Sequence, residues 1–187
     1  GEVMPQKFTT DPQFSFHHIN AYEETVSADL TNVVVDICSF SSEHFTLGNL
    51  TYEALHEGQL QNTDKAKSIA RRVIVPLSKS SKPNEEIFCE IKTLSPEPFE
   101  FPTINYERKN GQKYKYVYGT NSLYSKPFQV VKLNVDSPKE IISAQYFKED
   151  ENVVPSEPIF VENPNAQSED DGVLLVMVCI SKFIVIR

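Results

Sequence analysis

Apolar residues in this chain recur in short runs of period two, closed by proline, glycine or asparagine, with little convincing helical spacing. Successive side chains of a strand point to opposite faces, so this pattern confines the chain to an all-β fold. The first such run is the most informative. Phe14, Phe16, His18, Asn20 and Tyr22 are expected on one face, with Ser15, His17, Ile19 and Ala21 on the other. Two adjacent strand histidines cannot then share one metal ion. The small neighbours of His17 leave room for an ion or ligand near the backbone, although a lone strand histidine is more often structural or solvated.

The remaining runs come in order. Residues 1–13 read as a polar loop and 23–32 as a turn, with 33–38 returning as the second strand of a hairpin. Residues 41–70 read as short helix and loop, and His44 and His56 within them as surface imidazoles. A strand over 73–77 is expected to stop at Pro76, and 87–94 to alternate with Ile87, Cys89 and Ile91 on one face. Tyr114, Tyr116 and Tyr118 form a half-buried stripe after the Asn110-Gly111 turn. Strands over 130–135 and 141–147 pair across Asp136-Ser137-Pro138, and strands over 159–161 and 173–180 complete the set. Pattern alone does not separate sandwich, barrel and propeller.

Composition narrows the function. The chain has 187 residues, 18 Lys and Arg against 26 Asp and Glu, and a net charge of -8, which argues against a nucleic-acid partner needing a basic footprint. Cys38, Cys89 and Cys179 are dispersed and odd in number, so neither a zinc knuckle nor a disulfide scaffold is indicated; they read as buried thiols in a reducing compartment. Asn49-Leu50-Thr51 is a possible glycan acceptor of a kind common by chance. No apolar run approaches the length of a membrane span; the longest, 173–180, fits a buried strand. The apolar run at 183–186 beside the terminus reads as the sign of a fragment.

The wording of four stretches goes further than their spacing. FHHINAYEE around His17, Phe99-Glu100-Phe101-Pro102-Thr103-Ile104-Asn105-Tyr106, Pro155-Ser156-Glu157-Pro158-Ile159-Phe160-Val161 and Glu169-Asp170-Asp171-Gly172-Val173 occur in that order. Together they resemble the carotenoid cleavage oxygenase family, of the animal β-carotene oxygenase and retinoid isomerohydrolase type. Weaker similarities at Val35-Asp36-Ile37-Cys38, Arg71-Arg72-Val73-Ile74-Val75-Pro76-Leu77 and Tyr114-Lys115-Tyr116-Val117-Tyr118-Gly119 fall between them. Against the family, the turn after His17 is longer, with an insertion at 25–31.

The resemblance implies a seven-bladed β-propeller, of which residues 1–187 are an incomplete portion of one domain. An isolated piece would leave blade edges unsatisfied and is expected to fold poorly. The resemblance also implies Fe(2+) held by four neutral imidazoles, His17 being one, with carboxylates fixing the ligands' far nitrogens. Glu100 matches the partner of His17. Glu157, between Pro155 and Pro158, matches the partner of a histidine that this sequence does not contain. Three ligand histidines and a third glutamate of the family are absent, so the chain alone is expected to be inactive. His18 reads as a packing or hydrogen-bonding residue; Glu23, Glu24 and Glu169-Asp170-Asp171 read as solvated turn residues.

The implied activity is oxidative cleavage of a carotenoid or apocarotenoid double bond with O2, giving aldehyde or ketone products. A retinoid isomerohydrolase and a non-catalytic truncated propeller remain open alternatives. The implied setting is cytoplasmic, with peripheral membrane contact to reach an apolar carotenoid or retinoid.

Overall fold

The computed structural model describes residues 5–41, 51–53, 67–121, 129–136, 141–144 and 153–180. His44, His56 and the asparagine of the glycan triplet lie outside them. In chain order the strands are β1 (Lys7–Thr9), β2 (Gln13–Thr25), β3 (Leu30–Ser41), β4 (Ile69–Ser78), β5 (Glu86–Phe88), β6 (Glu90–Pro98) and β7 (Glu100–Thr103). After a one-turn helix α1 (Tyr106–Lys109) come β8 (Tyr116–Thr120), β9 (Val130–Asn134), β10 (Ile141–Ala144), β11 (Val153–Pro155), β12 (Ile159–Glu162), β13 (Gly172–Leu175) and β14 (Val178–Ile180). Two four-stranded antiparallel sheets, ordered β2-β3-β4-β6 and β10-β9-β8-β7, form blades of a partial β-propeller.

The two blades share one core. Ile19, Tyr22, Val34, Cys38 and Ala70 of the first meet Phe99, Tyr114, Val117, Val131 and Leu133 of the second. The β-branched run Val33-Val34-Val35 fits the pleated centre of the first blade, where β3 is paired on both sides. A second cluster of Ile37, Val73 and Cys89 lies under Phe8, Val35, Val75 and Ile91.

Several local expectations are corrected. The hairpin stays paired as far as Thr25 and Thr31, so the expected turn over 23–32 shrinks to residues 26–29. Strict alternation in β2 fails at two bulges, between Phe14 and His17 and between His18 and Asn20. Each bulge sets an extra residue against the partner strand and inverts the parity of the residues beyond it. Ile19 and Asn20 are consequently both buried, and Tyr22 joins the core with Ile19. Pro76 does not end β4; it sits opposite Asn32 and the strand runs on to Ser78. The run over 87–94 is cut at Cys89, whose N–H donates to the Thr9 carbonyl, and β5 turns aside to pair in parallel with β1. Residues 1–13, expected as a polar loop, therefore contain the strand β1.

The expected buried strand over 173–180 is instead two short strands, β13 and β14, with Val173, Leu175, Met177 and Val178 exposed. Cys179 is likewise exposed, whereas Cys38 and Cys89 are buried thiols. The hairpin β12–β13 attaches to the second blade through polar contacts. Glu169 accepts from the backbone N–H groups of Lys115 and Tyr116 at 2.8 and 2.7 Å, Lys132 pairs with Asp170 at 2.5 Å, and the rings of Tyr118 and Phe160 stack. Glu169 and Asp170 are thus tethers, not solvated turn residues. Asp171 accepts from Asn163 and Gln167 within the hairpin loop.

Candidate functional site

His17 and Glu100 come together where the edge strands of the two blades meet. β2 is an edge of its sheet and β7 an edge of the other, and each is its sheet's first strand in sequence. His17 Nδ1 lies 2.6 Å from Glu100 Oε2, linking residues 83 positions apart. The imidazole is 41% exposed, while the carboxylate is 2% exposed. Neither Glu100 Oε1 nor His17 Nε2 has a hydrogen-bond partner among the described residues, and Oε1 is buried. One nitrogen of the ring is therefore held and the other remains available.

Local backbone aims the carboxylate. Phe99 is fully buried and anchors β7 in the shared core. Between Glu100, opposite Thr120, and Thr103, opposite Tyr118, the ladder shifts register, and Phe101 there has a left-handed φ of 53°. The Phe101 N–H donates to Glu100 Oε2 at 3.4 Å, and its ring centroid lies 5.3 Å from that of His17. Gly119 is required behind this turn. A Cβ there would stand 2.6 Å from Phe99 Cζ and 2.7 Å from the Glu100 carbonyl oxygen.

Opposite His17 in the ladder is Cys38, whose thiol is pushed far above the ordinary value by burial, reinforced by the Glu100 charge. It is a neutral packing group at neutral pH. The aromatic surroundings continue through Phe16, 6.4 Å from the imidazole, to Phe14 and Phe40.

His18 points into solvent with no hydrogen-bond partner among the described residues, contrary to the packing role expected of it. Glu157 is exposed between Pro155 and Pro158, both buried, so its backbone is anchored while its carboxylate has no partner among the described residues. The structure thus joins His17 to Glu100 but brings neither to Glu157. Glu23 is exposed, and Glu24 pairs with Lys113 at 2.8 Å.

Sequence reasoning missed a second polar cluster. Arg72 grips Asp36 with Nε and Nη2, both at 2.8 Å, and the Tyr114 hydroxyl donates to Asp36 at 2.6 Å. Burial, then the Asp36 charge and hydrogen bond, hold the Tyr114 phenol well above its ordinary value. Burial opposes the charge on Arg72, but Asp36 overrides it and raises that group too. An aspartate inside the apolar run 33–38 was the available signal, and the structure buries it fully, where such a charge must find a partner. Asn20 was also missed as a clamp. It donates to the Lys109 and Gln112 carbonyls and accepts from Gly111, holding the turn after α1.

A cavity of about 560 Å³ lies between the second blade and the β12–β13 hairpin, among Tyr118, Val130, Lys132, Phe160 and Asp170. It holds none of His17, Glu100 or Glu157, and its polar residues Lys132 and Asp170 are already paired. Among the described residues no cluster of three or more His, Cys, Asp or Glu can hold a metal, and no helix is long and apolar enough to cross a membrane.

An imidazole with one nitrogen on a buried carboxylate and the other unengaged is the usual state of a metal-binding histidine. Imidazole suits iron, so His17 with Glu100 fits one corner of an iron site, and the described residues supply no further cluster that would complete one.

The family described as "RPE65: Retinal pigment epithelial membrane protein" matches residues 1–186, and the chain belongs to this carotenoid oxygenase family. It is 34% identical to a β,β-carotene 15,15'-dioxygenase of Gallus gallus over 94% of this chain and 35% of the relative. It is 31% identical to a mitochondrial carotenoid-cleaving dioxygenase of Mustela putorius furo, over 95% of this chain and 36% of that protein. The chain therefore spans about a third of the length of these relatives. Its fold matches that of a Synechocystis apocarotenoid oxygenase variant with a TM-score of 0.62 at 21% identity, covering 88% of this chain and 31% of the other.

Proposed function

We propose that residues 1–187 are an incomplete portion of the propeller domain of a non-haem iron oxygenase, in which His17 is one of the imidazole ligands. The complete protein would cleave a double bond of a carotenoid or apocarotenoid to aldehyde or ketone products. The observation that carries the reading is the 2.6 Å contact between His17 Nδ1 and Glu100 Oε2. Glu100 fixes the tautomer with the proton on Nδ1, so that Nε2 presents its lone pair away from the carboxylate. Activation of dioxygen is the chemistry that Fe(II) supplies when bound.

Glu157 serves the same purpose for a second imidazole. Its anchored backbone and unpaired carboxylate suit it to accept a ring N–H from a histidine that this sequence does not contain. The activities named for the chicken and ferret relatives favour cleavage over ester isomerohydrolysis and over a non-catalytic propeller. Carotenoids dissolve in bilayers, which supports peripheral membrane contact by the complete protein. The ferret relative's name includes a mitochondrial location, which weighs against carrying over a cytoplasmic one.

The test is incubation of iron-loaded full-length protein with β-carotene and, separately, with a retinyl ester, followed by product identification. Aldehyde from the carotenoid is expected, and retinol from the ester is not. His17→Ala is expected to abolish stoichiometric iron. Full retention of iron by that variant would overturn the assignment.

A further inference from the structure

We infer that Phe101 is a positioning residue for the imidazole of His17, setting its rotation through both backbone and ring. This deepens the metal-ligand reading of His17 and rests on it. A left-handed backbone at a bulky aromatic residue is uncommon because Cβ crowds the adjacent carbonyl, and such conformations persist where surroundings enforce them. Phe101 has φ 53°, and the next residue, Pro102, narrows its backbone choices further.

The enforcement is visible on both sides. Upstream, the Phe99 ring is wedged over Gly119, with no room for even a methyl group between them. Downstream, Thr103 is back in register with Tyr118, so three steps of β7 are matched to two of β8 and the surplus falls at Phe101 and Pro102. A glycine would take this surplus without steric strain. The phenyl group makes a contact that glycine would lack.

That contact is with the site. The same Glu100 oxygen that meets His17 Nδ1 at 2.6 Å receives the Phe101 N–H at 3.4 Å. The Phe101 ring lies at 5.3 Å and 49° to the imidazole, while Phe16 lies at 6.4 Å and 47°. Phe101 is half-buried and absent from the shared core, so core packing does not account for it. One residue thus meets both members of the couple, the carboxylate through its N–H and the imidazole through its ring.

The experiment compares Phe101→Gly, Phe101→Asn and Phe101→Tyr in the full-length protein, with His17→Ala as reference. Glycine and asparagine accept the left-handed backbone but remove the ring; tyrosine keeps the ring. Thermal unfolding, Fe(II) affinity by anaerobic titration and the absorption spectrum of the Co(II)-substituted protein are measured. We expect Phe101→Gly and Phe101→Asn to unfold at or above the wild-type temperature, bind Fe(II) about tenfold more weakly and show an altered Co(II) spectrum. Phe101→Tyr should restore affinity and spectrum. Wild-type affinity and spectrum in both ring-less variants, with His17→Ala losing iron, would sink the role of Phe101 alone. Affinity loss that merely tracks lost thermal stability, without rescue by tyrosine, would also sink it. Unchanged iron binding in His17→Ala would instead remove the ligand reading beneath it.

Discussion

Asp36 and Glu100 are both buried carboxylates, and both tie the first blade to the second, yet they are completed differently. Both oxygens of Asp36 are used, by Arg72 Nε, Arg72 Nη2 and the Tyr114 hydroxyl. Glu100 uses one oxygen, on His17 and the Phe101 N–H, and leaves the other unpartnered among the described residues. The partners differ as well. Arg72 and Tyr114 are themselves largely enclosed, whereas the His17 ring is 41% open. A closed network of this kind rigidifies a fold, and an unfinished one has capacity left for something else. The contrast in completion separates a structural pin from a site without appeal to any relative.

The largest expected effect breaks the pin. Asp36→Ala strands a buried guanidinium, and loss of one partner of a buried pair costs about 3–5 kcal/mol. Denaturant unfolding of the full-length protein should register that loss; a loss below about 1 kcal/mol, the scale of an exposed pair, would mean that Arg72 finds water, and the contrast with Glu100 would collapse. Tyr114→Phe removes a hydrogen bond to a charged group, worth about 1.5–3 kcal/mol.

Tyr114 also carries a pH signature. Its folded pKa is raised, first by burial and then by Asp36. A raised pKa means that the folded state keeps the proton longer. The stabilisation is therefore complete below the ordinary phenol value of about 10 and falls as pH climbs through the higher folded value. Stability measured between about pH 9 and 11 should decline in the wild type and decline less in Tyr114→Phe.

The two carboxylates also mark what sequence could and could not convey. Strand positions were legible because alternation reports burial directly. Tyr114 and Tyr118 are buried, and β9 pairs with β10 as the turn read at 136–138 suggested. The faces of β2 were not legible, because period-two counting assumes no extra residue and this strand has two bulges. Pro76 misled because proline removes a donor without forbidding an extended backbone. The His17–Glu100 pairing joins residues from two sheets, which no local pattern encodes; only the wording of the two motifs linked them. Asp36 and Arg72 stand opposite each other on neighbouring strands; opposite charges inside two apolar runs were the local sign of a pair, and the register that joins them is not written in either run.

A smaller effect sharpens the open side of the comparison. Glu100→Gln keeps the shape of the side chain and the contact to Nδ1 but removes the charge that makes the imidazole a better donor to metal. Iron affinity of the full-length protein should fall about 10–100-fold, while the unfolding midpoint moves less than in Asp36→Ala. The reverse pattern, a large stability loss with unchanged iron affinity, would make Glu100 a second pin.

The smallest expected effect concerns a carboxylate outside both networks. Asp170 is partly exposed and holds the β12–β13 hairpin to the second blade through Lys132, which also lies 4.2 Å from the Tyr116 ring centroid. The hydrogen bond from Lys132 lowers the Asp170 pKa against the opposing push of burial. A lowered pKa means that the unfolded state takes up the proton first. The contribution is therefore present above the ordinary carboxylate value of about 3.9 and disappears as pH falls through the lower folded value. For a pair this open the loss in Asp170→Asn should be about 0–1 kcal/mol, because water replaces much of what Lys132 provides. Hydrogen exchange resolves it better than global unfolding. Protection of the β12–β13 amides should drop in Asp170→Asn at neutral pH, and wild type and variant should converge near about pH 2. A loss as large as that of Asp36→Ala would show that the hairpin belongs to the pinned core and not to its margin.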